Sequence, residues 1–128
     1  MAGQFSARGG RALMARGRLP AGTMNRTEEA YRALLESQRA SGYIVAYWFN
    51  PIALRLAKGC YYHPDFMVLR PDGLIELHEV KGSPAIFQDD AKVKCKTAAE
   101  MYPFPLFVCY PRRKKDGGGF DVIPYPGK

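Results

Sequence analysis

Two short segments hold the residues best suited to chemistry: Pro64-Asp65, and Glu79-Val80-Lys81 beyond an apolar stretch and a turn. Between them run Phe66-Met67-Val68-Leu69, then Arg70-Pro71-Asp72-Gly73, then Leu74-Ile75-Glu76-Leu77-His78. Pro at the second position and Gly at the fourth predict a type I turn whose Gly takes positive φ and forms a G1 bulge. Such a loop pairs Arg70 with Leu74, and therefore Leu69 with Ile75, Met67 with Leu77 and Asp65 with Glu79. Directly opposed residues on one face have Cβ atoms about 4.5–5.5 Å apart. Lys81 lies on the same face, two residues further along its strand. Two carboxylates and an ammonium at the open end of an apolar ladder suit metal-assisted hydrolysis. Adjacent carboxylates raise each other's pKa unless a cation compensates, which argues against a merely decorative pair. A plain two-residue loop would instead set Asp65 opposite His78.

The surrounding sequence must position these groups. A helix is predicted from near Thr27 to Ser41-Gly42, with Asn25 or Thr27 as N-cap and Glu28-Glu29 in the first turn, where the helix dipole favours acids. Its inward stripe is Tyr31, Leu34 and Leu35, and Glu28 falls on that stripe while Glu29 points aside. Tyr43 to Phe49 reads as a strand, interrupted at Asn50-Pro51 and resumed by alternation over Ile52 to Leu56. Lys58-Gly59 turns the chain into a strand from Tyr61 to Leu69. A second helix is expected over about Gln88 to Met101, with Ala91, Cys95, Ala98 and Tyr102 facing inward and Lys92 and Lys96 on a neighbouring face. Leu106 to Tyr110 reads as a buried strand, Arg112 to Gly119 as an exposed basic loop, and Phe120 to Ile123 as an edge strand. The fold class is α/β, a mixed sheet flanked by helices.

The chain has 128 residues and a net charge of +7. That size is one domain with a modest core, and the charge points to a polyanionic partner. No acid precedes Glu28, whereas Arg8, Arg11, Arg16, Arg18 and Arg26 lie before or beside it. Residues 1–24 read as a basic Gly/Arg-rich flexible arm and 25–128 as the folded domain. Two further basic clusters are Lys92, Lys94, Lys96 and Arg112-Arg113-Lys114-Lys115. Each alone is a solvated face, but together with a candidate metal site they suit a phosphate backbone. No run approaches a membrane span and no apolar signal core opens the chain, so the expectation is a cytoplasmic protein. Cys60, Cys95 and Cys109 lack metal-ligand spacing and read as buried hydrophobes.

Pro64-Asp65, a hairpin, Glu79-Val80-Lys81, an acidic helix before and a Lys-bearing helix after resemble the PD-(D/E)XK nuclease superfamily. The run from Asn25-Arg26-Thr27-Glu28 to Ala98-Ala99-Glu100-Met101-Tyr102-Pro103 is similar to its small phage and prophage endonucleases. The resemblance implies a restriction-endonuclease-like core with order α-β-β-β-α-β. It implies that Asp65 and Glu79, with the Val80 carbonyl, ligate a metal, and that Lys81 orients or deprotonates the attacking water. Glu28 would be the extra acid on the first helix, and Lys92 and Lys96 would assist near the scissile phosphate. The all-oxygen ligand set suits Mg²⁺, with Mn²⁺ able to substitute. The expected activity is DNA phosphodiester hydrolysis on duplex or branched substrates, and junction cutting would call for a homodimer. Rival readings are an inactive nuclease-fold DNA-binding protein, a hydrolase of small phosphate esters, and a phage interaction protein.

Overall fold

A computed structural model describes residues 23–84, 87 and 89–126 of the chain. The predicted basic arm therefore lies almost wholly outside the described residues. Helix α1 spans Arg26–Ala40. Asn25 is its N-cap: the Asn25 side chain accepts from the Glu28 N–H at 2.8 Å, and Glu28 Oε1 accepts from the Asn25 N–H at 3.0 Å. This reciprocal capping box fixes the helix start. The helix stops at Ser41, and Gly42 follows at φ 82°, a conformation glycine adopts without a Cβ penalty.

Seven strands follow: β1 Ala46–Phe49, β2 Leu54–Ala57, β3 Cys60–Tyr62, β4 Phe66–Leu69, β5 Ile75–Val80, β6 Leu106–Pro111 and β7 Phe120–Pro124. Helix α2, Asp89–Met101, connects β5 to β6. The main sheet has the order β1-β4-β5-β6-β7, with β5 and β6 parallel and every other neighbour antiparallel. The expected mixed sheet flanked by helices is therefore present. The α-β-β-β-α-β order needs correction, since five strands precede α2 and two follow it. The long strand expected from Tyr61 to Leu69 breaks at His63-Pro64-Asp65, and β2 and β3 pair with each other as a separate two-stranded sheet. Pro64 explains the break, because proline cannot donate to a ladder.

The turn behaves as its residues dictate. Gly73 sits at φ 89°, its N–H reaches Arg70 O at 3.0 Å, and Arg70 N–H reaches Leu74 O at 2.9 Å. The resulting register pairs Leu69 with Ile75, Met67 with Leu77 and Phe66 with His78.

Side chains alternate across the sheet, so β5 feeds two cores. Leu77 joins Leu106, Val108, Cys95 and Ala98 under α2, together with Leu54 and Tyr62 from the β2–β3 hairpin. Val80 joins Phe66, Val68 and Cys109 under Tyr31 and Leu35 of α1. Each fully buried Leu, Val or Phe among these contributes about 1.5–3 kcal/mol by burial. The inward stripe read for α2 holds, with Cys95 and Ala98 buried and Ala91 and Tyr102 partly so. Cys95 and Cys109 are buried free thiols, whereas Cys60 is only half-buried.

Candidate functional site

The observed register continues one step past Phe66–His78 to place Asp65 opposite Glu79, and one further to place Pro64 opposite Val80. The Arg70 N–H donates to Leu74 O, so by antiparallel alternation 64 and 80 also stand at a bonding position. Pro64, fully buried, has no N–H to give the Val80 carbonyl. The Val80 N–H turns instead to Asp65 Oδ2, 2.8 Å away. A side-chain carboxylate thus replaces the backbone as the last rung between β4 and β5. The Asp65 carbonyl meanwhile accepts from the Asn50 N–H at 2.7 Å, so its backbone is tied to the end of β1. Asn50 itself takes φ 49°, a conformation open to asparagine.

Glu79 is 6% exposed. Its Oε1 accepts from the Tyr62 hydroxyl at 2.8 Å, and its Oε2 lies 3.1 Å from Lys81 Nζ. Lys81 Nζ stands 5.9 Å from the Phe87 ring centroid, and Lys92 Nζ stands 5.8 Å from the same ring. Two cations therefore approach one aromatic ring.

Electrostatics tie Glu28 to this group. Burial is the main force raising the Glu28 carboxyl above its ordinary range, and the Glu79 charge adds to it, while Asp65, Asn25 and Lys81 hold it down. Asp65 is pushed well above its ordinary value, first by burial and then by the Glu79 charge, against the Val80 N–H. Burial works against the charge on Lys81, but the Glu79 carboxylate more than offsets it and the ammonium is held above its usual range. Glu28, Asp65, Glu79 and Lys81 are one interacting cluster. Three carboxylates face one ammonium, which leaves an excess of negative charge for a divalent cation to neutralise.

Because β5 and β6 are parallel, their carboxyl ends lie together, with Lys81 N–H bonded to Cys109 O at 3.0 Å. The Arg112–Lys115 loop leaves β6 from that end. Arg112, itself exposed, bonds across its loop to Asp121 at 3.6 Å and Gly118 O at 2.9 Å, and Arg113 pairs with Asp116 at 3.2 Å. Lys114 and Lys115 are exposed on a short 3₁₀ turn, and among the described residues neither forms an ion pair. On α2, Lys92 reaches the Phe87 ring beside Lys81, but Lys96 is exposed with no contact to the cluster. Lys94 is the lysine that lines the space beside Glu79. It stands three residues after Ala91 and four before Ala98, which places it beside the inward stripe. That spacing is legible in the sequence, whereas the Tyr62 contact is not, because it depends on the hairpin's position.

That space is a cavity of about 230 Å³ lined by Tyr61, Tyr62, His63, Glu79, Asp90, Ala91 and Lys94. A larger one of about 510 Å³ opens on the α1 face near the Arg70 turn and touches none of the four cluster residues. It borders a buried polar chain in which Tyr31 Oη meets His78 Nδ1 at 2.6 Å and His78 Nε2 meets Glu76 Oε1 at 2.9 Å. Glu76 is held below its ordinary value, first by the His78 bond, so His78 Nε2–H donates to a carboxylate and Nδ1 accepts from Tyr31. His78 is thus a satisfied core residue outside the acid cluster.

Among the described residues, no three His, Cys, Asp or Glu side chains converge closely enough to hold a metal ion between them. The donor chemistry nonetheless fits a hard cation: carboxylates of Asp65, Glu79 and Glu28, the Val80 carbonyl, and an unbalanced negative charge. Glu79 would exchange Lys81 for the ion at one oxygen and keep Tyr62 at the other. Among the described residues no helix is long and apolar enough to cross a membrane. Comparison with known proteins returned no matching family model, no matching curated protein and no matching solved structure.

Proposed function

We propose that this chain is a metal-dependent endonuclease that hydrolyses phosphodiester bonds in DNA, built on a restriction-endonuclease-like core. The observation that carries the reading is the Asp65–Glu79–Lys81 cluster, assembled where a proline ends the β4–β5 ladder and joined electrostatically by Glu28. Taking the β2–β3 hairpin as an insertion, α1-β1-β4-β5-α2-β6 follows the order of that core.

Asp65, Glu79 and the Val80 carbonyl would hold Mg²⁺ or Mn²⁺, with Glu28 close enough to assist. The ion, when bound, supplies acidification of a water and neutralisation of phosphoryl charge. Lys81, kept protonated by Glu79, is suited to orient the nucleophile and to donate to a phosphate oxygen. Removing a proton from water would require Lys81 first to lose its carboxylate partner. Tyr62 fixes the Glu79 rotamer. Lys92 and Lys94 stand on the first turns of α2, and Arg112, Arg113, Lys114 and Lys115 extend the basic rim at the same end of the sheet. These groups suit a polyanion and give a net charge of +7 a purpose.

The test incubates the full chain with supercoiled plasmid and a synthetic four-way junction in Mg²⁺, Mn²⁺ or EDTA, beside Lys81→Ala. Metal-dependent cleavage that the variant loses supports the reading. DNA binding with no cleavage in either metal refutes it and leaves an inactive DNA-binding protein of the same fold.

A further inference from the structure

The 230 Å³ cavity beside Glu79 is lined in part by residues without a role in the proposed hydrolysis: Tyr61, His63, Asp90 and Ala91. One wall is the β2–β3 hairpin, which stands apart from the main sheet and contributes Tyr61 and Tyr62, with His63 just beyond it. The other is the first turns of α2, with Asp90, Ala91 and Lys94. Glu79 is common to the cavity and to the acid cluster. Tyr61 is 42% exposed, and its neighbour Tyr62 is turned inward onto Glu79. Tyr62 thus points at the acid, while Tyr61 also lines the cavity and keeps much of its surface in solvent.

We infer that this cavity receives one unpaired nucleobase next to the scissile phosphate, stacked on Tyr61, so that the substrate carries an unpaired nucleotide at the cut site. The inference rests on the proposed hydrolysis and names its substrate class. Size supports a single base: the volume equals about eight waters at ~30 Å³ each, room for one heterocycle and not for a base pair. Charge supports a base over a phosphate. Glu79 is already paired with Lys81 and bonded by Tyr62, so Asp90 and Lys94 are the remaining charges of the lining, and the Asp90 carboxylate offers exocyclic amino groups an acceptor that a phosphate could not use. Lys94 is left for the adjoining phosphate. A base held in a duplex cannot enter without leaving its stack, a cost that is least where it is already unpaired.

The test uses end-labelled duplexes of one sequence, either fully paired or carrying one unpaired nucleotide at a fixed position. Cleavage by the full chain in Mg²⁺ is compared for wild type, Tyr61→Ala and Tyr61→Phe. The unpaired substrate should be cut at its unpaired position with kcat/KM at least about tenfold above the duplex. Tyr61→Ala should lose about 10- to 100-fold on that substrate, the range for one base–aromatic stack, with little change on the duplex. Tyr61→Phe, which keeps the ring, should retain the preference. Equal cutting of both substrates by wild type, or equal loss on both in Tyr61→Ala, overturns the inference and leaves hydrolysis standing. A second readout needs no turnover: 2-aminopurine at the unpaired position should be quenched on binding in EDTA by wild type and not by Tyr61→Ala. Quenching without cleavage refutes hydrolysis and keeps the base pocket; neither signal overturns both.

Discussion

Replacing Asp65 by Asn should stabilise the metal-free protein, although it removes a residue central to the proposed chemistry. Asn keeps the size and the oxygen that accepts from the Val80 N–H, and it removes one of three clustered carboxylates. Opposed Cβ positions lie about 5 Å apart, and at an effective dielectric near 20 two unit charges at that separation repel by about 3 kcal/mol. Lys81, 3.1 Å from Glu79, and the Val80 N–H offset part of this. A net gain of about 1–2 kcal/mol remains, or about 4–8 °C in Tm for a domain near 100 residues. The pH dependence has a definite sign. Asp65 in the folded chain titrates well above its ordinary 3.8, with burial the leading cause. Well below the ordinary 3.8 the residue is protonated in both states, so wild type and variant should differ least at the acid end of the range. As pH rises the unfolded chain ionises first, wild-type stability falls relative to the variant, and the gap levels off above the folded pKa. Thermal unfolding followed by circular dichroism in EDTA, from pH 4 to 8, reads the gap directly. In excess Mg²⁺ the order should reverse, since a ligand at a hundred times its Kd stabilises the native state by about 2.7 kcal/mol. A variant that melts below wild type at pH 7 in EDTA would refute the assignment of Asp65 to a repulsive carboxylate cluster.

Two other perturbations probe separate parts of the site. Tyr62→Phe removes the donor to Glu79 Oε1 and leaves a buried acceptor without that bond, so urea denaturation should show a loss of about 1–3 kcal/mol. Initial cleavage rates should fall with it, and unchanged stability and rate would remove Tyr62 from its positioning role. Lys114→Ala with Lys115→Ala should weaken DNA binding uniformly across sequences and lower the slope of log K against log salt by up to about 1.8 if each lysine meets one phosphate, measured by fluorescence anisotropy. An unchanged slope would place the loop away from DNA.

The parts of the site that local chemistry dictates were legible in the chain. Pro71 and Gly73 set the turn, the turn set the register, and the register set Asp65 against Glu79. Asn25 and Glu28 marked the start of α1 in the same local way. The break at His63-Pro64-Asp65 was open to prediction from Pro64, but the apolar run after it masked the interruption. Lys94 was passed over for Lys92 and Lys96 because a charged residue beside an inward stripe looks like a solvated one until a cavity lies next to it. Tyr62 and Tyr61 owe their roles to the swing of the β2–β3 hairpin against α2, a contact between segments about thirty residues apart that no periodicity encodes. Trp48, within the Tyr43 to Phe49 strand, is 42% exposed, because β1 is the sheet's edge strand and its outer flank has no neighbour.

The bond from the Val80 amide to Asp65 makes the cohesion of the sheet depend on a titratable group. A hydrogen bond to an ionised carboxylate is roughly twice as strong as one to its neutral form. Ionising Asp65 therefore tightens this one rung between β4 and β5 while it adds repulsion within the acid cluster, so the two effects oppose each other. Whatever sets that charge, whether acidity of the medium or a bound cation, also sets how readily the site end of the sheet frays. The last rung of the ladder and the acid cluster in this way answer to the same proton.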